Sequence, residues 1–153
     1  MHSCLSIRLL APVDVPHLRA LNALFGEAFG DPESYGAEPP AEAYLSSLLA
    51  KEHVIVLVAL LAGQVTGGLV AYELDKFEQA RREFYIYDLA VAEEYRRQGV
   101  ATALLEHLCR IAAERTAWVV FVQAHHIDGP AIALYEKFGE RGEMLQFEIR
   151  LAR

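Results

Sequence analysis

The sequence predicts an α/β domain: a single mixed, twisted sheet of about six to seven strands flanked by about four helices. Three observations carry this. Short apolar runs rich in β-branched residues alternate with amphipathic runs at helical spacing. Two of the strand-like runs are joined only by Ala62-Gly63-Gln64, a spacing that makes an antiparallel hairpin. Two others, Glu83 to Val91 and Trp118 to Ala124, flank a helical run, which makes a parallel β-α-β unit.

Taken in order, Leu5 to Leu10 reads as the first strand, and Pro12-Val13-Asp14 as a turn or helix start. Leu18, Leu21, Leu24, Phe25 and Ala28 then form one face of a helix. Gly30 to Gly36 reads as loop, with breakers at both ends. Pro39 and Pro40 lead into a second helix, with Tyr44, Leu45, Leu48 and Leu49 as its buried stripe. His53 to Ala62 and Val65 to Leu74 are the hairpin strands, and Gly67-Gly68 marks a bulge or a close approach. Asp75 to Arg82 is a charged connection. Glu83 to Val91 is apolar on both faces and so reads as a central strand. Val100, Leu104, Leu108, Ile111 and Ala112 give the next helix its buried side. After the strand at Trp118 to Ala124 come a loop, a short helix from Pro130 to Phe138 closed by Gly139, and a last strand from Met144 to Leu151. No internal repeat, low-complexity tract or linker interrupts this, so residues 1–153 read as one domain.

Composition narrows the function. The net charge is −7, and the stretch from Glu27 to Glu94 holds four basic against thirteen acidic residues. That balance disfavours nucleic acid and suits a cationic ligand, although ordinary solubility charge would look the same. No apolar run is long enough to span a membrane. The start, Met1 to Leu10, has neither a basic region nor a small-residue cleavage site, so no secretory leader is expected. Cys4 and Cys109 form no motif and read as reduced thiols of a cytoplasmic protein.

The most informative stretch is Arg96-Arg97-Gln98-Gly99-Val100-Ala101, between the central strand and the helix after it. Gly99 lets a ligand approach the backbone without meeting a Cβ. The first amides of the helix, through Thr102, have no helical partners, and the helix dipole favours an anion there. With two arginines added, the loop suits a pyrophosphate. The glycine spacing is neither G-x-x-x-x-G-K nor G-x-G-x-x-G.

Two side chains stand out as chemistry. Asp88 is a carboxylate inside Phe84-Tyr85-Ile86-Tyr87-Asp88-Leu89-Ala90-Val91, where burial would raise its pKa and make it a better base. It could equally anchor an ammonium group, or simply cap the following loop. Tyr135, in Ala133-Leu134-Tyr135-Glu136-Lys137-Phe138-Gly139, has a phenol able to donate to a sulfur leaving group, or is a core tyrosine beside Ala131 and Phe138. Glu27, Asp31, Glu78, Glu83 and Asp128 are element-end acids that could line an acceptor cleft or serve as surface charge. Tyr85 and Tyr87 are candidates to pack on a sugar ring, or are ordinary packing tyrosines of a strand. His125-His126 with Asp128 fits no zinc spacing, and no metal is expected.

The loop is similar to the R-x-x-G-x-G/A motif of the GNAT superfamily of N-acetyltransferases, with Ala101 in the last position. More narrowly, several segments together resemble the gentamicin/fortimicin-type aminoglycoside 3-N-acetyltransferases. They are Phe25 to Asp31, Lys76-Phe77-Glu78-Gln79, Tyr85 to Val91, Val122-Gln123-Ala124 and Pro130 to Tyr135. The chain departs from that pattern at His125-His126-Ile127 and at Gly129, where acids or a glycine are expected.

The resemblance implies the GNAT fold over the whole chain, with acetyl-CoA as cosubstrate and no metal. It implies pyrophosphate held at Arg96, Arg97, Gln98, Gly99, Val100, Ala101 and Thr102, and the pantetheine arm paired along Leu89, Ala90 and Val91 beside a bulge. It implies Asp88 and Tyr135 as catalytic groups, and Glu27, Asp31, Glu78, Tyr87, Asp88 and Asp128 facing a cationic aminoglycoside. The expected reaction is acetylation of the 3-amino group, an antibiotic-resistance activity, in a chain for which a homodimer is an open arrangement. A polyamine, amino sugar or protein amine as acceptor remains the alternative, as does a non-catalytic acyl-CoA sensor.

Overall fold

The sheet is organised around its most apolar strand, β2 (Val54–Leu61), whose residues Val54 to Ala59 are all buried. A strand buried on both faces needs helices on both sides. In this computed structural model, which describes residues 4–153, the strand has them. Met1 to Ser3, where the stretch weighed as a leader begins, lie outside the described residues. The chain divides into two units, one running up to Gln123 and one from Ala124 to Arg153.

In the first unit, β1 (Ser6–Leu9), β2, β3 (Gln64–Asp75), β4 (Arg82–Val91) and β5 (Val119–Val122) lie side by side in chain order. The first three pairings are antiparallel and β4–β5 is parallel; of these, the β2–β3 hairpin and the β4–β5 crossover are the ones the spacings predict. Val54, Val56 and Val58 pack with Leu18, Leu21 and Phe25 of α1 (Val15–Ala28) and Leu45 and Leu49 of α3 (Glu42–Leu49). The alternate residues Ile55, Leu57 and Ala59 point to the other face, where α4 (Val100–Glu114) packs on β2, β3 and β4 through Leu104 and Leu108.

Two local features fix the register. Thr66, fully buried, donates from its hydroxyl to the Ala59 carbonyl at 3.2 Å, where β2 and β3 slip by one residue. At Gly68, an added Cβ would lie 2.7 Å from the Leu57 carbonyl and would strike the Leu21 side chain. The close approach expected at Gly67-Gly68 is therefore where α1 settles on the sheet. The turn into α1 is held by buried Asp14, which accepts from Arg8 at 2.7 Å and from the Ala11 amide at 2.8 Å.

The structure corrects four expectations. Gly30 to Gly36 is not all loop: Pro32–Gly36 forms a short helix, α2. Its apparent breakers are start signals, with Asp31 as N-cap and Pro32 in the first turn. Tyr44 leaves the α3 stripe and is 63% exposed. The sheet has five strands among the described residues rather than six to seven. The missing one is Met144 to Leu151, which forms no strand. Its alternation gives it the capacity for a strand, but alternation by itself supplies no main-chain partner. The second unit therefore consists of α5 (Gly129–Glu136) and an open C-terminal segment.

Candidate functional site

The site forms where β4 outruns its neighbour. Parallel pairing with β5 stops at Ile86–Val122, while β4 continues against β3 as far as Val91. From Tyr87 onward one edge of β4 has no β5 partner. At the same point the β3 register slips: Ala71 faces Ile86, Val70 faces Asp88, and Tyr87 is the extra residue of a bulge. The expected bulge is therefore present, and it sets the direction of Asp88. Leu89 and Ala90 follow along the open edge. At Val91 the carbonyl is already engaged by Arg96 Nε at 3.1 Å.

A 3₁₀ turn at Glu93–Tyr95 carries the chain from β4 to α4. Arg97 (φ 60°) and Gly99 (φ 81°) take left-handed backbone conformations, which aim the loop's amides toward the start of the helix. The first bond of the helix ladder runs from the Ala103 amide to the Gly99 carbonyl at 3.0 Å. The amides before it, at Val100, Ala101 and Thr102, are left for a ligand. A Cβ at Gly99 would meet no protein atom, so the backbone angle, not crowding by the chain, calls for glycine there. Arg96, Arg97, Gln98 and Gly99 are exposed, whereas buried Val100 and Leu104 pin the helix to the sheet. An exposed anion-binding end on a rigid helix fits a pyrophosphate.

Asp88 is half-buried and forms no ion pair among the described residues. One of its two oxygens, Oδ1, accepts from the Tyr35 hydroxyl at 3.0 Å. Burial raises its pKa above the ordinary 3.8, and the Tyr35 hydrogen bond opposes that rise. Burial and then the Asp88 charge push the Tyr35 phenol well above its usual range, so it stays a donor. Sequence reasoning missed Tyr35 because it lies 53 residues from Asp88 in a segment read as loop. The available signal was Asp31-Pro32, a helix start that commits Tyr35 to a fixed position. Tyr35 is further held by Phe25, edge-on at 6.0 Å, and by Phe29 at 5.7 Å.

Tyr35 also lines a groove of about 430 Å³ between α1 and α2, together with Asn22, Gly26, Glu27 and Pro32. Glu27 is an exposed acid on that wall. Asp31 caps α2 by accepting from the Ser34 amide at 3.1 Å, and bonding to Ser34 lowers its pKa. Tyr87, 63% exposed, joins Tyr72 at 6.1 Å and Tyr85 at 5.8 Å, and Tyr85 stacks on Phe121 at 4.7 Å. The result is an aromatic row suited to a ring-shaped ligand. Glu78 is matched by Lys76 at 3.8 Å and Arg81 at 3.5 Å, and Glu83 by Lys76 at 3.9 Å. These two acids are less available to a cation than Glu27, Asp31 and Asp88.

In the second unit, Asp128 caps α5, accepting from the Ala131 amide at 3.2 Å. Tyr135 lies on that helix, half-buried, with its pKa pushed up to about 12 by burial and then by Asp128. Such a phenol holds its proton throughout the neutral range. Among the described residues no three His, Cys, Asp or Glu side chains cluster to hold a metal, and no helix is long and apolar enough to cross a membrane.

Known proteins with the same architecture point one way. An aminoglycoside acetyltransferase from an uncultured soil metagenomic sample superposes with a TM-score of 0.95 at 50% identity, over 97% of this chain and 99% of that one. A second enzyme of that description, solved in complex with sisomicin, gives 0.89 at 31% identity over 97% of each chain. An N-alpha-acetyltransferase of Saccharolobus solfataricus is 40% identical over 57 residues, 37% of this chain. This chain therefore spans only about a third of the length of that curated relative, 34%. Residues 18–139 match the model of the acetyltransferase (GNAT) family. With its helix-start anion loop at the end of an open, bulged central strand, the chain belongs to that family.

Proposed function

We propose that the chain acetylates the 3-amino group of an aminoglycoside, by direct transfer in a ternary complex, and so confers resistance to the antibiotic. The whole chain serves as one catalytic domain in this reading. The observation that carries it is Asp88: a half-buried carboxylate with no cation of its own among the described residues, bonded to Tyr35, which lines a groove with Glu27. A polycationic acceptor supplies the missing countercharge. The two solved relatives described as aminoglycoside acetyltransferases support the substrate class. The 3-position rests on the sequence resemblance.

The family takes acetyl-CoA as cosubstrate. Arg96, Arg97 and the amides from Gln98 to Thr102 fit its pyrophosphate, and the open edge of β4 at Leu89 to Val91 fits its extended arm. When bound, it supplies the activated acetyl group. The chain's own task is proton management. An ammonium group must lose a proton to become a nucleophile, and Asp88 accepts it, directly or through a water. Tyr35 keeps the Asp88 carboxylate oriented. Tyr135, protonated at neutral pH, is assigned as the donor to the departing sulfur. Glu27, Asp31, Glu78, Tyr87 and Asp128 are assigned to the acceptor side. A cytoplasmic location suits both the cosubstrate and the two free thiols, Cys4 and Cys109.

Thiol release from acetyl-CoA, followed side by side with gentamicin, spermidine and a peptide bearing a free N-terminal amine, tests the reading. We expect gentamicin to be turned over with the highest kcat/KM. Preference for the peptide would move the chain to protein-amine acetylation, the activity its N-alpha-acetyltransferase relative is named for. Coenzyme binding without turnover of any acceptor would make it a sensor.

A further inference from the structure

The bulge in β4 moves the Asp88 carboxylate onto the face of the sheet that carries the tyrosines. Side chains alternate across a strand, so Tyr85 and Asp88, at odd spacing, belong on opposite faces of a regular β4. The register places them otherwise. Tyr85 pairs with Tyr72 and Asp88 with Val70, and Tyr72 and Val70 both pack against the cluster built by α1 and α3. Buried Ile86 pairs with Ala71 on the other face, and Tyr87 is the extra residue that restores Asp88 to the tyrosine side. The Tyr72–Tyr85 pair therefore shares a face with Asp88 and stands two ladder positions from it, roughly 7 Å along the strands.

The rings are set as walls. Tyr87 meets Tyr72 at 87° with centroids 6.1 Å apart, and meets Tyr85 at 73° with centroids 5.8 Å apart. Tyr85 is braced by Phe121, stacked at 4.7 Å, and by a hydrogen bond from its hydroxyl to Gln123 Oε1 at 2.9 Å. Rings near perpendicular form corners, and ring faces attract a cation because they carry the negative side of the ring quadrupole. No cation of the chain fills these corners. Among the described residues the cation set over a ring is Arg81, 3.7 Å from the Trp118 centroid. The Asp88 charge adds to the same field: after burial it is the next cause raising the Tyr72 phenol above its ordinary pKa, and it acts on Tyr85 after burial and Tyr87.

We propose that Tyr72, Tyr85 and Tyr87, with Asp88 beside them, form an ammonium-binding box that holds a second, non-reacting ammonium group of the acceptor. The identity of the ligand rests on the acetyl-transfer reading; the box itself rests on the bulge and the ring geometry. A second grip has a physical use. Attack requires a neutral amine, so the reacting nitrogen gives up the charge that drew it to Asp88. An ammonium held against the ring faces keeps its charge through that step, and the acceptor stays in place while its other nitrogen reacts. The acceptor class follows: a molecule with two amino groups on the order of 7 Å apart, of which a polyamino sugar is one. A sugar ring can lie on the row as well, but ring packing alone does not select charge, and the box does.

Calorimetry on the full chain without acetyl-CoA, with choline and its uncharged isostere 3,3-dimethylbutan-1-ol, tests the box directly. Choline should bind, and the isostere should bind about 5- to 30-fold more weakly, the range for a cation over aromatic faces. Equal affinities, or no binding of either, would overturn the box. Tyr87 is 63% exposed, so its variants should fold, with circular dichroism as the check. Tyr87→Phe keeps a ring face and should hold choline within about twofold of the wild type, whereas Tyr87→Leu keeps only apolar bulk and should lose about fivefold. A Leu variant that binds choline as the wild type does would also overturn the box. In steady state Tyr87→Leu should raise KM for gentamicin more than it lowers kcat. An unchanged KM would overturn the box as an acceptor subsite. Choline discrimination in a chain that does not turn over gentamicin would uphold the box and defeat the aminoglycoside reading, so the two failures are distinguishable.

Discussion

β4 and the C-terminal segment Met144 to Leu151 are both largely apolar and both read as strands, β4 apolar on both faces and the segment alternating. β4 lies between β3 and β5 in the sheet, whereas Met144 to Leu151 forms no strand. Strand propensity is therefore about equal in the two. They differ in the partners that chain topology delivers. β4 receives β3 through a short antiparallel connection and β5 through a helix crossover. The C-terminal segment follows a short helix, with no strand partner next to it in sequence. A strand is a relation between two backbones, and a single sequence specifies only one of them. The functional half of β4 shows the same rule. Where β5 stops at Val122, β4 is left with an open edge, and there we place the arm of the family's cosubstrate.

That contrast can be tested from the largest expected effect downward. Asp88→Asn keeps the shape of β4 but removes the proton acceptor, and should lower kcat by roughly 10²–10⁴, the range for a general base, with an unchanged circular dichroism spectrum. If Asp88 is an anchor instead, KM for the aminoglycoside will rise while kcat holds. Wild-type values of both would remove Asp88 from the mechanism.

Phe84, fully buried in β4, sets the energetic scale of a partnered strand. Phe84→Ala should cost about 3–5 kcal/mol in denaturant melts, independent of protein concentration. Phe147→Ala in the C-terminal segment should cost little, because that side chain is 81% exposed. Equal losses at the two sites would mean that Phe147 is packed in solution as firmly as Phe84.

Gly99→Asp tests the loop at the end of β4. It imposes a left-handed angle on a residue with a Cβ and sets a negative charge at a helix start. Coenzyme A affinity by calorimetry should fall on the order of tenfold or more, since the effect of a like charge at a helix terminus alone approaches that size. Unchanged affinity would take the pyrophosphate away from this loop.

The smallest effect is expected at Tyr35. Burial sets the folded pKa of Asp88 above its unfolded value, so this carboxyl favours the folded state at pH below about 3.8, and that contribution is lost as pH rises through the folded value. For catalysis the sign is reversed, because the base must be ionised: kcat/KM falls as pH drops through the same value. The Tyr35 hydrogen bond holds that value down. Tyr35→Phe should therefore move the acid limb of the kcat/KM profile to higher pH, with a loss of only a few-fold at pH 8. An unmoved limb would make Tyr35 a packing residue only.

Much of this was legible in the sequence, for local reasons. A hairpin needs only a short turn between two strands, and a parallel pair needs only a helix between them. An anion loop needs only a glycine, free amides and a helix start, all within a few residues of Gly99. The chemical character of Asp88 could be read from its apolar neighbours in β4. Tertiary structure decided what depends on distant parts of the chain. It brought Tyr35 across 53 residues to Asp88 and turned an apparent loop into the helix that positions it. It matched Glu78 with Lys76 and Arg81 while leaving Asp88 without a cation. It ended β5 four residues after it began, opening the edge of β4. And it left Leu145, Phe147, Ile149 and Leu151 in water, because periodicity specifies which face of a strand is apolar and says nothing of which backbone will cover it.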